Sequence, residues 1–230
     1  MVPLAQIDWR PSYRLVSTKY PPVNFFEEFS SDPEEWEVLA QIESLTDPGL
    51  KMMDLSKLPV EDRFHGSGAA LVLPSFTFLN LTLSGSRFSS NQFGAYYAGK
   101  TLETAIAETS HHRSRFMSDT RQPAQELDQR LILADISGML HDIRNMQEEF
   151  ATIYDTNDYS HSQSFAAKLR QEGSSGIAYK SVRLPGGENV AILSPRVISN
   201  ARQDKAITLQ WNGARITGYY EKHGFRGIEL

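Results

Sequence analysis

The stretch from Gly85 to Arg113 reads GSRFSSNQFGAYYAGKTLETAIAETSHHR, and it contains the elements around which the rest of the chain is organised. Gly85 and Gly94 bracket a loop, and the run Ala95 to Ala98 (AYYA) is typical of a short strand. Thr101 is a residue type that caps helices, and apolar side chains recur at helical spacing after it. The stretch therefore predicts a loop, a strand and a helix in succession.

The predicted helix carries one carboxylate in an informative position. Glu108 borders the apolar stripe of the helix instead of lying opposite it, so its side chain is partly desolvated and can meet a ligand in a cleft. His112 lies one turn further along the same edge and can pair with it. The same pattern is also typical of a surface Glu–His pair that has no function.

A second informative stretch, Gly176 to Leu193, reads GIAYKSVRLPGGENVAIL. It predicts two short strands, Gly176–Tyr179 and Asn189–Leu193, around the turn at Pro185-Gly186-Gly187, where glycine lets the backbone turn tightly or approach a ligand. Ser181 follows the first strand and is either a ligand contact or a simple turn hydroxyl. Lys180 and Arg183 are typical of solvated charges.

The remaining segments predict further elements on both sides of these stretches. The acidic N-terminal part, about 21–67, is predicted to be a helical extension, with a helix starting at Ser31-Asp32-Pro33 and carrying Trp36. Strands are predicted at Tyr13–Val16, at Ala69–Leu83 with a bulge, and at Leu131–Ile136 ending at Gly138. A helix is predicted from Ser160 to Gly173. A C-terminal hairpin is predicted at about 205–220 around Asn212-Gly213. Short strands that alternate irregularly with helices favour an α+β fold.

Composition excludes several classes of function. The 230 residues include no cysteine, which excludes thiol nucleophiles, disulfides and cysteine-bound metal, and the adjacent pair His111-His112 cannot share one metal ion on a helix; no metal site is expected. A net charge of −5 makes nucleic acid a poor direct partner. No apolar run is long enough for a membrane helix and no signal peptide is recognisable, so we expect a cytoplasmic protein without membrane contact. The G-x-G-x-x-G pattern of Rossmann folds and the G-x-S-x-G motif are absent.

Six elements in fixed order resemble the RES domain family, which contains the toxins of RES–Xre toxin–antitoxin pairs. The family pattern has an early Y-R, then G-G-R-W, a tyrosine, A-x-x-E, and finally G-I-x-Y-x-S and G-G-x-N. The matching residues here are Tyr13-Arg14, Gly85-Ser86-Arg87-Phe88, Tyr97, Ala105 to Glu108, Gly176 to Ser181, and Gly186 to Asn189. Two positions depart from the pattern. Phe88 replaces tryptophan, and Ser86 replaces the second glycine. The side chain of Ser86 limits how closely a ligand can approach the backbone there.

The resemblance implies a single RES-type domain over residues 1–230, with an ADP-ribosyltransferase-like split β-core of two small sheets and flanking helices. It implies a toxin that cleaves the nicotinamide–ribose bond of NAD⁺ by hydrolysis or phosphorolysis, with NAD⁺ as a substrate and without a cofactor. It also implies an Xre-type helix-turn-helix antitoxin as partner, and a homodimer within the toxin–antitoxin complex. The inherited catalytic set is Glu108, Arg87, Tyr97 and Ser181, and the inherited binding set is Arg14, Arg87, Tyr97, Ser181 and Asn189.

The chemistry of these residue types agrees with the resemblance. Cleavage of the nicotinamide–ribose bond builds positive charge on the ribose, which a fixed carboxylate such as Glu108 stabilises. Arg14 and Arg87 suit a pyrophosphate, and Tyr97 offers a ring face or a hydroxyl. The alternatives are an ADP-ribosyltransferase that modifies a protein, an endoribonuclease that uses Glu108 with the neighbouring histidines, and a binding module without catalysis.

Overall fold

The computed structural model describes residues 2–18, 58–63, 68–77 and 85–222, together with Glu35. Within these ranges the chain forms seven strands and four α-helices. The strands are β1 (Leu4–Ser17), β2 (Tyr96–Gly99), β3 (Gln125–Asp142), β4 (Gly176–Lys180), β5 (Glu188–Ile192), β6 (Ile198–Trp211) and β7 (Ile216–Lys222). The helices are α1 (Ala69–Val72), α2 (Pro74–Thr77), α3 (Leu102–Asp119) and α4 (Ser160–Gln171).

The strands form a mixed sheet in the order β1-β2-β5-β4-β3-β6-β7, and β1 also pairs with β3. Two groups are extensively paired: the long antiparallel strands β1, β3, β6 and β7, and the short antiparallel strands β2, β5 and β4. The groups meet at two narrow points, the single β1–β2 pair Tyr13–Gly99 and two parallel β3–β4 pairs that begin at His141–Ile177. The α+β class is confirmed. The two groups of strands correspond to the two small sheets that the resemblance implies, and here they are joined into one sheet.

The strand sequences explain where the core lies. The centre of β3 is buried on both faces, as expected for a strand with helices or loops on each side, whereas β7 alternates between partly exposed and exposed residues. One apolar cluster packs α1 and α2 against the sheet, a second packs α4, and a third packs α3 against β3 and β6. Helix α3 is therefore held beside the sheet by its apolar stripe.

Several sequence predictions are confirmed at the level of elements. Thr101 is the N-cap of α3 and its hydroxyl accepts a hydrogen bond from the Thr104 backbone N–H at 3.2 Å. Gly173 follows α4 with a φ of 80°, and Gly213 turns the β6–β7 hairpin with a φ of 96°. Helix α4 begins at Ser160, but Tyr159 is its N-cap residue and no side chain caps it.

The predicted strand at Ala69–Leu83 is wrong over its described part, because the chain forms the two short helices α1 and α2 there. Ala69, Val72, Leu73 and Phe76 are buried and recur at i, i+3, i+4 and i+7, which is helical spacing. Residues 78–84 lie outside the described residues.

The predicted strand at Leu131–Ile136 is the centre of the much longer β3, which continues beyond Gly138 to Asp142. Most of the predicted helical extension at 21–67, with Ser31 and Trp36, lies outside the described residues, which show a 3-10 turn at Val60–Asp62. No helix in the described part of the chain is long and apolar enough to cross a membrane.

Candidate active site

Glu108 lies in the second turn of α3 and accepts two hydrogen bonds on one carboxylate oxygen. The Ser181 hydroxyl and the Asn189 side-chain amide each donate to Oε1 at 2.7 Å. Within residues 85–222 and the other described ranges, no donor is bonded to the second oxygen, Oε2. The arrangement fixes the carboxylate and leaves one of its oxygens available to a ligand.

The two donors come from neighbouring strands. Asn189 lies in β5 and pairs with Tyr179 of β4, and Ser181 follows β4 directly. The Ser181 hydroxyl also accepts hydrogen bonds from the backbone N–H groups of Arg183, at 3.0 Å, and Leu184, at 2.9 Å. Since both of these bonds occupy oxygen lone pairs, the hydroxyl hydrogen is directed at Glu108.

Tyr97 uses its hydroxyl within the protein. The hydroxyl accepts from the Phe88 backbone N–H at 2.8 Å and from the Ser86 hydroxyl at 3.0 Å, and it donates to Ser89 at 3.3 Å. Burial raises the pKa of Tyr97, and the hydrogen bonds from Ser86 and its neighbours partly oppose that shift. The phenol therefore holds the turn at residues 86–89 in place, and its ring is the part that remains for a ligand.

Arg87 is 7% exposed and lies in that turn. Its Nη1 donates to the backbone carbonyls of Ile153 and Asp155, both at 2.7 Å, and its guanidinium lies 5.0 Å from the centre of the Tyr159 ring. These contacts use only two of the five N–H donors, and no described carboxylate forms an ion pair with this side chain. Arg87 thus anchors the segment before α4 and keeps a positive charge that none of the described carboxylates pairs with.

Arg14 enters the site from β1. Its Nη1 donates to the Tyr97 carbonyl at 3.2 Å, and its guanidinium lies 4.7 Å from the centre of the Tyr96 ring. Burial lowers the pKa of Arg14, although the neighbouring tyrosines partly oppose the shift. The described residues again supply no carboxylate partner.

These side chains surround one cavity of about 290 Å³. Its wall includes five of the six predicted site residues: Arg14, Arg87, Tyr97, Glu108 and Asn189. Ser181 does not line the cavity, but its hydroxyl donates a hydrogen bond to Glu108, which does. The structure therefore brings all six together, with Ser181 in a supporting position.

Sequence reasoning missed further residues on the wall. Arg183, which the sequence pattern assigns to solvent, lines the cavity, and its guanidinium makes a single long hydrogen bond, to the Thr156 carbonyl at 3.4 Å. The buried ring of Tyr179 and the ring of Tyr159 also line it. Tyr179 lies inside the G-I-x-Y-x-S motif and was open to prediction, whereas nothing in the sequence around Tyr159 or Arg183 distinguishes them from surface residues.

His112 lines the mouth of the cavity, but the hydrogen bonds to Glu108 come from Ser181 and Asn189. Partial loss of hydration lowers the pKa of His112 even though Glu108 nearby opposes the shift, and Arg183 adds to the lowering. The ring is therefore mainly neutral at pH 7. No group of three or more histidine, aspartate or glutamate side chains that could hold a metal ion occurs in the described parts of the chain.

Comparisons with known proteins give one family match, one sequence relative and one structural neighbour. The model of the RES domain family matches residues 62–212. The uncharacterized protein y4oC of Sinorhizobium fredii (strain NBRC 101917 / NGR234) is 27% identical over 217 residues, which cover 90% of this chain and 86% of that protein. A chain of the crystal structure of the M. tuberculosis MbcT–MbcA toxin–antitoxin complex gives a TM-score of 0.42 at 11% identity, over 91% of this chain and 88% of that chain.

Proposed function

The chain belongs to the RES domain family, and on that premise we propose that it cleaves the nicotinamide–ribose bond of NAD⁺ at Glu108. We further propose that it does so as the toxin of a toxin–antitoxin pair. The observation that carries the proposal is the fixed carboxylate of Glu108, whose Oε2 has no donor among the described residues. The same cavity is lined by three arginines that form no ion pair with a described carboxylate.

The position of Glu108 supports the bond-breaking step. As nicotinamide leaves, its ring takes the bonding electron pair and the ribose becomes an oxocarbenium-like cation. A carboxylate that is already oriented stabilises this developing charge without reorganising, and its effect is larger in a cavity with little water. Ser181 and Asn189 supply the orientation because both bind the same oxygen.

The arginines support the choice of a dinucleotide substrate. Arg14, Arg87 and Arg183 line the cavity without a described ion-pair partner, although the whole chain has a net charge of −5. Guanidinium groups bind phosphate oxygens through forked hydrogen bonds, and three such groups suit a pyrophosphate. The positive wall and the single carboxylate match a ligand that is anionic at its phosphates and cationic at its nicotinamide ribose.

The aromatic lining supports binding of the nicotinamide ring. The rings of Tyr97, Tyr159 and Tyr179 lie in the cavity wall. Their faces are electron-rich and attract a flat cationic ring such as nicotinamide in NAD⁺.

The acceptor of the ADP-ribosyl group is proposed to be water or phosphate, and transfer to a protein side chain is the alternative. The family resemblance further supports an Xre-type helix-turn-helix antitoxin as partner, with a homodimer inside the complex. The identity of the acceptor does not alter the chemistry at Glu108, since water, phosphate and a protein side chain would all attack the same ribose carbon.

The proposal is tested by incubating the purified protein with NAD⁺ and separating the products chromatographically. We expect release of nicotinamide together with ADP-ribose, or with ADP-ribose 1″-phosphate when inorganic phosphate is added. A third reaction with added cell protein detects transfer as ADP-ribose attached to protein. Unchanged NAD⁺ in all three reactions would contradict the proposal, and cleavage of total RNA without NAD⁺ would favour an endoribonuclease.

A further inference from the structure

We infer that Glu188, which does not line the cavity, is a positioning residue that holds Ser181 and Asn189 at the spacing Glu108 requires. The inference rests on the proposed function, because positioning is measured through cleavage of NAD⁺. Glu188 belongs to a charged cluster that lies at the ends of three strands, outside the cavity wall.

Glu188 is the centre of this cluster, and three cations converge on its carboxylate. Lys180 donates to Oε1 at 2.9 Å, while Arg144 at 2.8 Å and Lys100 at 3.2 Å donate to Oε2. Arg144 also forms a forked pair with Asp142, through Nε at 2.8 Å and Nη2 at 2.7 Å. The Glu188 side chain is only 17% exposed, so these interactions are screened less than a surface pair.

Each of the three cations belongs to a different part of the fold. Lys180 is the last residue of β4, Lys100 follows β2, and Arg144 lies just beyond the end of β3. The Lys100 backbone N–H also donates to the Glu188 carbonyl at 2.9 Å. One carboxylate therefore fixes the ends of three strands relative to β5.

Both donors to Glu108 are sequence neighbours of this cluster. Ser181 follows Lys180, and Asn189 follows Glu188. Lys180 and Glu188 are also register partners across β4 and β5, and the Ser181 N–H donates to the Gly187 carbonyl at 2.9 Å. The Lys180–Glu188 pair is thus adjacent in sequence to both donors, which converge on the same oxygen of Glu108.

The charges make this contact sensitive to the loss of one carboxylate. Burial raises the pKa of Glu188, but the hydrogen bonds from Lys180, Arg144 and Lys100 outweigh it and bring the pKa to about 2. Glu188 is therefore ionised throughout the working pH range. Without its charge, Asp142 is the one counterion that the described residues leave to the three cations, and their mutual repulsion separates the strand ends.

The experiment compares steady-state cleavage of NAD⁺ by the full-length wild-type protein and the Glu188→Gln variant. Glutamine keeps the size of the side chain and removes its charge. We expect kcat to fall by about ten-fold or more, because small displacements of positioned groups slow a reaction strongly. KM is expected to stay within about two-fold, since Glu188 does not line the cavity.

Glu221→Gln is the matched control, because Glu221 is also a partly buried strand carboxylate paired with a lysine, Lys205, but lies in β7. This control should lose stability and keep kcat. A second measurement makes the Glu188→Gln change in a Ser181→Ala, Asn189→Ala background. This background lacks both donors that Glu188 positions, so the further fall in kcat should be within about two-fold. If Glu188→Gln folds poorly, Lys180→Met opens the same cross-strand contact and should lower kcat in the same way.

The inference is overturned if Glu188→Gln and Lys180→Met keep the wild-type kcat, or if the loss is equally large in the Ser181→Ala, Asn189→Ala background. A wild-type protein that releases no nicotinamide overturns the proposed function itself, so the two failures are distinguishable.

Discussion

At the scale of single residues, the site combines one carboxylate that is fixed by hydrogen bonds with arginines that form no ion pair within the described part of the chain. Glu108 receives both of its bonds on Oε1, so the orientation of the group is set while Oε2 stays free of described donors. Arg183 differs from the other cavity arginines because its side chain is held by only one long hydrogen bond, to Thr156. It is therefore the cation whose removal disturbs the protein least.

We expect Arg183→Met to raise the KM for NAD⁺ with little change in kcat. The variant removes a charge-assisted hydrogen bond to a phosphate, worth about 1.5–3 kcal/mol, which corresponds to roughly ten- to a hundred-fold in KM. Steady-state kinetics measure the effect, and Arg115→Met is the control because Arg115 is exposed, lies 3.9 Å from Asp119 and does not line the cavity. Equal KM values for the two variants would mean that Arg183 does not bind the substrate.

Some features of these residues can be predicted from the sequence and others cannot. The helical spacing placed Glu108 beside an apolar stripe, and the structure agrees, since Ala105 and Ile106 are buried. The contact of Glu108 with Ser181 spans 73 residues and depends on the pairing of β4 with β5, which local patterns do not specify. Arg183 could not be predicted, because an arginine after a turn has the same local pattern whether it faces solvent or a cavity.

At the scale of elements, α3 presents Glu108 to the cavity, and its position depends on its start. Thr101 has extended backbone angles, so the helix begins after it, and its hydroxyl accepts a hydrogen bond from the Thr104 backbone N–H. The apolar stripe of α3 then packs on β3 and β6. The capping residue and the apolar stripe are both readable from the sequence, which is why this helix is predicted correctly. Glu103 in the first turn adds a charge that the helix N-terminus favours.

We expect Thr101→Ala to destabilise the protein by about 1 kcal/mol, because the variant removes the only side-chain cap of α3 found in the described residues. For a chain of this size the loss corresponds to a fall in Tm of roughly 2–4 °C. Thr101→Ser keeps the accepting hydroxyl and should restore most of the stability in the same thermal unfolding experiment. A Thr101→Ala variant with the wild-type Tm would show that the cap contributes nothing.

Other elements show where sequence patterns mislead. The segment at Ala69–Leu83 was predicted as a strand because apolar residues alternate after Phe76, yet its first part is helical. The buried set from Ala69 to Phe76 follows helical spacing, and Pro74 is tolerated because it stands at the start of α2. Short apolar runs are compatible with both structures, and the packing of this segment against β6 decides between them.

At the scale of the whole molecule, the site exists because the strand groups are joined at two points. Arg14 comes from β1, the turn with Arg87 precedes β2, and Asn189 lies in β5. The single β1–β2 pair and the β2–β5 pairing bring these positions to one cavity although they are far apart in sequence. The spacing of motifs identified the family, but only the strand order explains why the same residues share a wall.

The most direct measurement of the central claim is the rate of nicotinamide release from NAD⁺ by the wild-type protein and by the Glu108→Gln variant. Glutamine keeps an oxygen that accepts from Ser181 and Asn189, so the fold is retained while the negative charge is lost. Glu103→Gln removes a charge from the exposed side of the same helix and is the control, expected to work at the wild-type rate. The account predicts that Glu108→Gln is slower by about 10²–10³-fold. Nicotinamide release by Glu108→Gln at the wild-type rate would contradict it.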